Sequence, residues 1–285
     1  ILSADDIQKL YFTTSMQLCQ DTSAIVRATM CAQLDPIARS TNKELLRTEI
    51  LPELMELLVD EEANVRQAAF KGAVELLDIM PSDYRLTKLY PLLKKYCATF
   101  GKQSSMPNLP HLFGEMFFKL FSAEYNDLGD NGNSEEVEPF LNFFRGLVLR
   151  SNDQHRRLCA FNFPAIVLTL GPDRYAKFLH PSLAKLVKDS SESVRITIAA
   201  GIHEIAIVLG PSQTVKYLRD LIIMLLRDPS VDVQSKIIAR LDVILPQFWV
   251  ENVKQREAAF SALLPSILCY ENNITASWRK QLQFC

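Results

Sequence analysis

Apolar and small residues recur along this chain at alternating spacings of three and one. After Val65 they fall at Ala68, Ala69, Gly72, Ala73, Leu76, Leu77 and Met80. That is one continuous stripe on a helix of 3.6 residues per turn. After Val233 the same stripe continues through Ile237, Leu241, Ile244, Leu245 and Phe248. The segments ahead of each stripe, "EILPELMELLVD" and "YLRDLIIMLLRD", read as the first helix of a pair. Pro52, Pro81, Pro91, Pro172, Pro181, Pro211 and Pro265 lie near the predicted helix starts, where a missing N–H costs least.

The helix pairs repeat. A pattern Asp, four residues, Val-Arg occurs at Asp21/Val26/Arg27, Asp60/Val65/Arg66 and Asp189/Val194/Arg195. A fourth copy, Asp228/Val233, carries Gln234 in place of the arginine. Copies one and two are 39 positions apart, as are three and four. This spacing sits at the HEAT/armadillo repeat length of roughly 40–47 residues. A degenerate copy is placed at Arg157, where "RLCAF" echoes the "RQAAF" that begins at Arg66. The spacings predict an all-α superhelix, a HEAT-repeat solenoid of about seven hairpins: 3–40, 43–80, 84–122, 135–170, 173–209, 212–248 and 251–285. One hairpin cannot bury its own stripe, so stacking on its neighbours supplies the core. The expectation is a single repeat domain over 1–285, interrupted by an acidic, glycine-containing loop at 122–138. A first residue Ile1 and a last residue Cys285 within a helical pattern lead us to expect a piece of a longer solenoid.

The Asp ends the turn ahead of the second helix, where a carboxylate is favoured by the helix dipole. The Arg lies six residues on. Stacking should bring carboxylates and guanidinia of adjacent repeats together as a structural ladder of Asp21, Arg27, Asp60, Arg66, Arg157, Asp189, Arg195 and Asp228. Gln234 can donate a hydrogen bond there but carries no charge. Pro164, inside a helical stripe, is expected to kink its helix.

Composition adds mainly exclusions. The chain is 48% hydrophobic and 22% charged, with 9 glycines, so it holds material for a core and few glycine-lined loops. Its formal net charge of -2 and its short basic runs argue against a nucleic-acid partner. The six cysteines never form C-x-x-C and fall among apolar helical residues, which suits reduced thiols in a cytoplasmic protein. The run Leu221 to Leu226 is too short to span a membrane, and no membrane partner is expected. His111, His155, His180 and His203 have no neighbours at metal-ligand spacing. No H-E-x-x-H, G-x-S-x-G, Walker A or G-x-G-x-x-G motif is present. The reading is therefore not an enzyme, with no catalytic residue, cofactor or metal.

The repeat motifs resemble the HEAT repeats of the scaffolding A subunit of protein phosphatase 2A. The resemblance is closer to the regulatory subunits of serine/threonine protein phosphatase 4. It rests on "VRATMCAQL" from Val26, "LPELMELLVDEEANVRQAAF" from Leu51, "CAFNFPAI" from Cys159 and "SWRKQL" from Ser277. "CAFNFPAI" is the most telling, since repeat physics alone does not demand it. The resemblance implies a non-catalytic protein that binds a phosphatase catalytic subunit. In the A-subunit scaffold the intra-repeat turns grip partners. Carried over by position, this nominates Thr22, Ser23, Glu61, Glu62, Asn152, Asp153, Ser190, Ser191, Pro229 and Ser230. A HEAT adaptor or transport receptor for another cargo, or a plain spacer, would share the same pattern.

Overall fold

The computed structural model describes residues 4–101, 106–122 and 134–282, and no strand occurs among them. Of the loop predicted at 122–138, residues 123–133 lie outside the described residues. Its expected C-terminal end is instead helical from Ser134, with Glu136 in an N-terminal turn that favours a carboxylate.

The chain divides into two compact units, 1–140 and 141–285. In the first, α1 (Ala4–Cys19) pairs with α2 (Ala24–Cys31) and α3 (Leu34–Ser40). Next, α4 (Lys43–Leu45) and α5 (Leu51–Leu57) pair with α6 (Ala63–Leu76). Then α7 (Ser82–Tyr84) and α8 (Tyr90–Thr99) pair with α9 (Leu109–Phe121). The predicted stripe is the buried face of α6: Val65, Ala69, Ala73, Leu76, Leu77 and Met80 are all 3% exposed or less. Gly72 lets α6 approach α2 closely, since a Cβ there would lie 3.1 Å from the Cys31 carbonyl.

Between α4 and α5, and between α7 and α8, a π-helical turn intervenes at Leu46–Ile50 and Arg85–Leu89. Each ends two residues before a proline, Pro52 or Pro91. Proline cannot donate to the carbonyl four residues back and its ring crowds that carbonyl; a wider turn relieves both conflicts.

The boundary between units falls within α10 (Ser134–Leu147), which is followed by α11 (Asp153–Phe178) and α12 (His180–Val187). Then come α13 (Glu192–Gln213), a π turn at Thr214–Leu218, α14 (Arg219–Leu226), α15 (Val231–Ile238), α16 (Leu241–Ile244) and a 3-10 turn, Leu245–Phe248. Gly171 and Gly210 break α11 and α13 at φ 73° and 71°, each followed by proline. These corners divide hairpin from hairpin, as the spacing predicts. The stretch Glu192–Leu226 is apolar and long enough to cross a membrane by composition. Gly210 splits it into two helices, however, and Val194, Ile198, Ile202 and Ile205 are fully buried in the repeat core.

One expectation is corrected, at the seventh hairpin. In α11 the non-helical break falls at Gly171, and Pro164 lies within the helix. The Pro164 ring packs on the next repeat at Gly201, where a Cβ would meet its Cγ at 3.1 Å. The seventh hairpin is a single helix, α17 (Val253–Leu282), with Pro265 inside it. Pro265 has no glycine before it, unlike Pro172 and Pro211, so nothing at that point turns the chain.

Candidate functional site

Four intra-repeat turns are built by an aspartate. Asp21, Asp60, Asp189 and Asp228 each accept the backbone N–H two residues on, at Ser23, Glu62, Ser191 and Ser230, over 2.7–2.9 Å. The accepting carboxylate closes an Asx turn, and the second helix starts at the next residue. The arginine one turn into that helix reaches back: Arg27 Nη1 donates to the carbonyls of Asp21 (2.8 Å) and Thr22 (3.2 Å). Arg66 does the same to Asp60 and Glu61, and Arg195 to Asp189 and Ser190.

The other edge of the guanidinium meets the following repeat. Arg27 Nε and Nη2 grip both carboxylate oxygens of Asp60 at 2.8 and 3.0 Å. Arg195 holds Asp228 at 2.7 and 3.1 Å. A planar fork with five donors can satisfy two carbonyls on one edge and a carboxylate on the other; an ammonium cannot. The Arg27 bond holds the Asp60 carboxyl below its usual range; burial opposes it and the Glu62 N–H assists. At Asp189 burial pushes upward, but the Arg156 bond and the Ser191 N–H outweigh it, so this carboxyl is also lowered.

The fourth hairpin corrects the sequence reading. Arg156, not Arg157, takes the ladder position, holding Asp189 at 2.7 and 2.9 Å and the carbonyls of Arg150 and Ser151. Arg157 is exposed. Arg150 and His155 occupy the places of the motif's Asp and Val, so the signature is erased and the "RLCAF" echo misleads by one residue. Spacing would have found it, since Arg156 precedes Arg195 by 39 positions, the interval of the other copies. At Gln234, Nε2 donates to the Asp228 carbonyl at 2.7 Å, reproducing the back-reaching half of the arginine.

A second row of contacts has no counterpart in the sequence motif. Ser191 Oγ donates to Asp153 Oδ2 at 3.0 Å, and Ser230 Oγ donates to Glu192, each from the next repeat's cap. At the far end of the second helices, Arg39 donates to Asp78 (3.0 Å) and to the Glu75 carbonyl (3.3 Å). Lys119 Nζ donates to the Val74 carbonyl at 3.0 Å. Two cations from flanking hairpins thus cap the negative end of α6.

The nominated turn residues sit at the second-helix N-termini: Ser23, Glu62, Asn152, Ser191 and Ser230 are the N-caps of α2, α6, α11, α13 and α15. Thr22, Ser23, Glu61, Glu62, Asn152, Asp153, Ser190 and Pro229 are exposed, while Ser191 and Ser230 are half-buried. Within each unit the clamps place the turns in fixed register with side chains turned outward. Such a row offers a rigid, polar contact edge. Among the described residues no three His, Cys, Asp or Glu side chains gather as a metal site. Cys19, Cys31, Cys97 and Cys159 are buried free thiols. Burial pushes the Cys19 thiol up to about 12 and Cys31 up to about 11.

No family model matches the chain. Serine/threonine-protein phosphatase 4 regulatory subunit 4 of Homo sapiens is 32% identical over 203 residues, covering 66% of this chain and 23% of that protein. The protein of the same name in Mus musculus is 30% identical over 223 residues, covering 70% and 25%. The chain therefore spans about a quarter of the length of the curated relatives it matches. Among solved structures, a Kap121p mutant superposes with a TM-score of 0.53 at 13% identity, over 93% of this chain and 27% of that one. An engineered protein superposes at 0.50 and 14% identity, over 84% of this chain and 98% of its own. These two likenesses support the helical-repeat fold alone.

Proposed function

The chain is a relative of serine/threonine-protein phosphatase 4 regulatory subunit 4, and from that we propose a regulatory scaffold that binds a phosphatase catalytic subunit. In this reading it has no catalytic activity of its own and works in the cytoplasm. The observation that carries the proposal is the name its relatives share, which sets this chain apart from other helical-repeat proteins.

The turn row supports the contact surface. A regulatory surface must present the same side chains in the same places, and the Asp–Arg clamps at Arg27–Asp60, Arg156–Asp189 and Arg195–Asp228 join neighbouring turns without using their outward residues. A row of this kind can supply a standard interface of roughly 1,600 Å² without a deep pocket. Buried free thiols at four positions suit a reducing compartment.

The test is direct capture. The tagged chain is mixed with purified phosphatase 4 catalytic subunit, and the complex is sought by size-exclusion chromatography. Co-elution is the expected result. Separate elution, in a chain whose circular dichroism shows it folded, overturns the proposal.

A further inference from the structure

In the unit 141–285, charges are sorted by helix. The first-helix segments of hairpins five and six, 172–188 and 211–227, hold seven lysines and arginines against two aspartates. The second-helix segments, 192–209 and 231–248, hold three against four. The excess also repeats with the hairpins. Lys177 and Lys216 are 39 positions apart, as are Lys188 and Arg227, and all four are exposed. The ammonium of Lys177 lies 4.9 Å from the Phe178 ring centroid, and that of Lys216 lies 4.8 Å from Tyr217. A ring face attracts a cation, so each head is held by its aromatic neighbour. Of the two carboxylates, Asp220 is already paired with Arg219 at 2.8 Å.

We propose that this exposed flank of the first helices is a docking surface for an acidic segment of a partner protein, rich in Asp and Glu. The complementarity is one of charge and pitch. Packed helices lie about 8–10 Å apart, so a cation repeated once per hairpin recurs at about that interval. Three residues of extended chain cover about 10 Å. An acidic side chain at every third position then meets a cation on each hairpin.

A long polyanion is disfavoured by the rest of the molecule. The whole chain has a formal net charge of -2. A nucleic acid or an anionic membrane extends well beyond a Debye length of about 8–10 Å and meets that overall field. A short acidic segment meets only the local excess. Lys177 and Lys216 lie a helix away from the turn row, whereas Lys188 and Arg227 adjoin it, and the proposal does not depend on the phosphatase reading.

The experiment is fluorescence anisotropy with a labelled twelve-residue peptide bearing Glu at every third position. At low salt the peptide binds, and a matched peptide with Lys in place of Glu does not. Binding falls away near about 0.5 M salt, where screening reaches a few ångströms. The Lys177→Glu/Lys216→Glu variant weakens binding about tenfold or more, since attraction at two sites becomes repulsion. Lys177→Gln/Lys216→Gln gives a smaller loss in the same direction with an unchanged melting curve. The proposal is overturned if the acidic peptide does not bind, or if both variants bind it as the unaltered chain does. Tighter binding of a single-stranded RNA of equal charge, or of phosphatidylserine vesicles, overturns it as well.

Discussion

Arg195 and Asp228 are 33 residues apart in sequence and joined by a two-point contact, Nε to Oδ2 at 2.7 Å and Nη2 to Oδ1 at 3.1 Å. The same separation recurs at Arg27–Asp60 and at Arg156–Asp189. A fixed interval between partners is what a stack of equal hairpins produces. It makes each aspartate serve twice, closing its own turn and anchoring the arginine of the repeat before.

Removing that anchor has a defined cost. Arg195→Ala leaves the Asp228 carboxylate, 7% exposed, without its guanidinium. Hydrogen bonds to charged groups contribute about 1.5–3 kcal/mol, so a loss of about 2 kcal/mol is expected in urea unfolding. Gln234→Ala removes one neutral bond and should cost about 1 kcal/mol. Arg195→Lys should fall between wild type and Ala, because an ammonium cannot bridge both turns. Equal effects of Arg195→Ala and Gln234→Ala would show that the charged rung adds nothing.

Acid should dissolve the ladder in a predictable direction. Asp60 and Asp189 have folded pKa values lowered from 3.8, so the folded state holds their protons less tightly than the unfolded state. Their contribution is fully present above the unfolded value and is lost as pH falls through the folded one. Stability measured in urea should therefore lose this contribution only below about pH 4. Asp189→Asn should be less stable at neutral pH and show a shallower acid decline. An unchanged acid profile in that variant would contradict the assignment.

The hairpin corners depend on glycine conformation. Gly210 sits at φ 71°, and beyond its chain neighbours nothing lies within 4 Å of where a Cβ would stand, so the penalty of a side chain there is local backbone strain. Gly210→Ala should cost about 1–3 kcal/mol. Gly146 is helical with open space around it, so Gly146→Ala should be neutral or stabilising by up to about 1 kcal/mol. Thermal melts of the two variants moving together would show that the corner is not strained.

The fold is legible in the sequence because its determinants are local and repeated. The stripe after Val65 and the Asp-to-Arg interval both survive there, and each maps onto one hairpin. Where the sequence is silent, the signature itself has gone. Arg156 takes the ladder place although Arg150 and His155 have replaced the residues that mark it. The Ser191–Asp153 and Ser230–Glu192 contacts use residues common at any helix start, so nothing in the sequence flags them as pairs. Pro265 reads as a helix start by analogy with the other prolines. Helix α17 runs through it because no glycine precedes it to reverse the chain. For the candidate partner surface, the repeat supplies positions only; the structure adds that the caps stand in register within each unit while most of their side chains face outward.

If these turns hold a phosphatase catalytic subunit, the most direct measurement is its affinity for a turn variant. Glu61→Lys with Ser190→Lys alters two exposed side chains whose ladder contacts run through their backbone carbonyls. Titrated calorimetrically against phosphatase 4 catalytic subunit, the double variant should bind about tenfold or more weakly, a loss of about 1.4 kcal/mol, with an unchanged melting temperature. Wild-type affinity in this variant would contradict the account, and decisively so if Phe161→Ser with Leu168→Ser, exposed on the flank of α11, abolished binding instead.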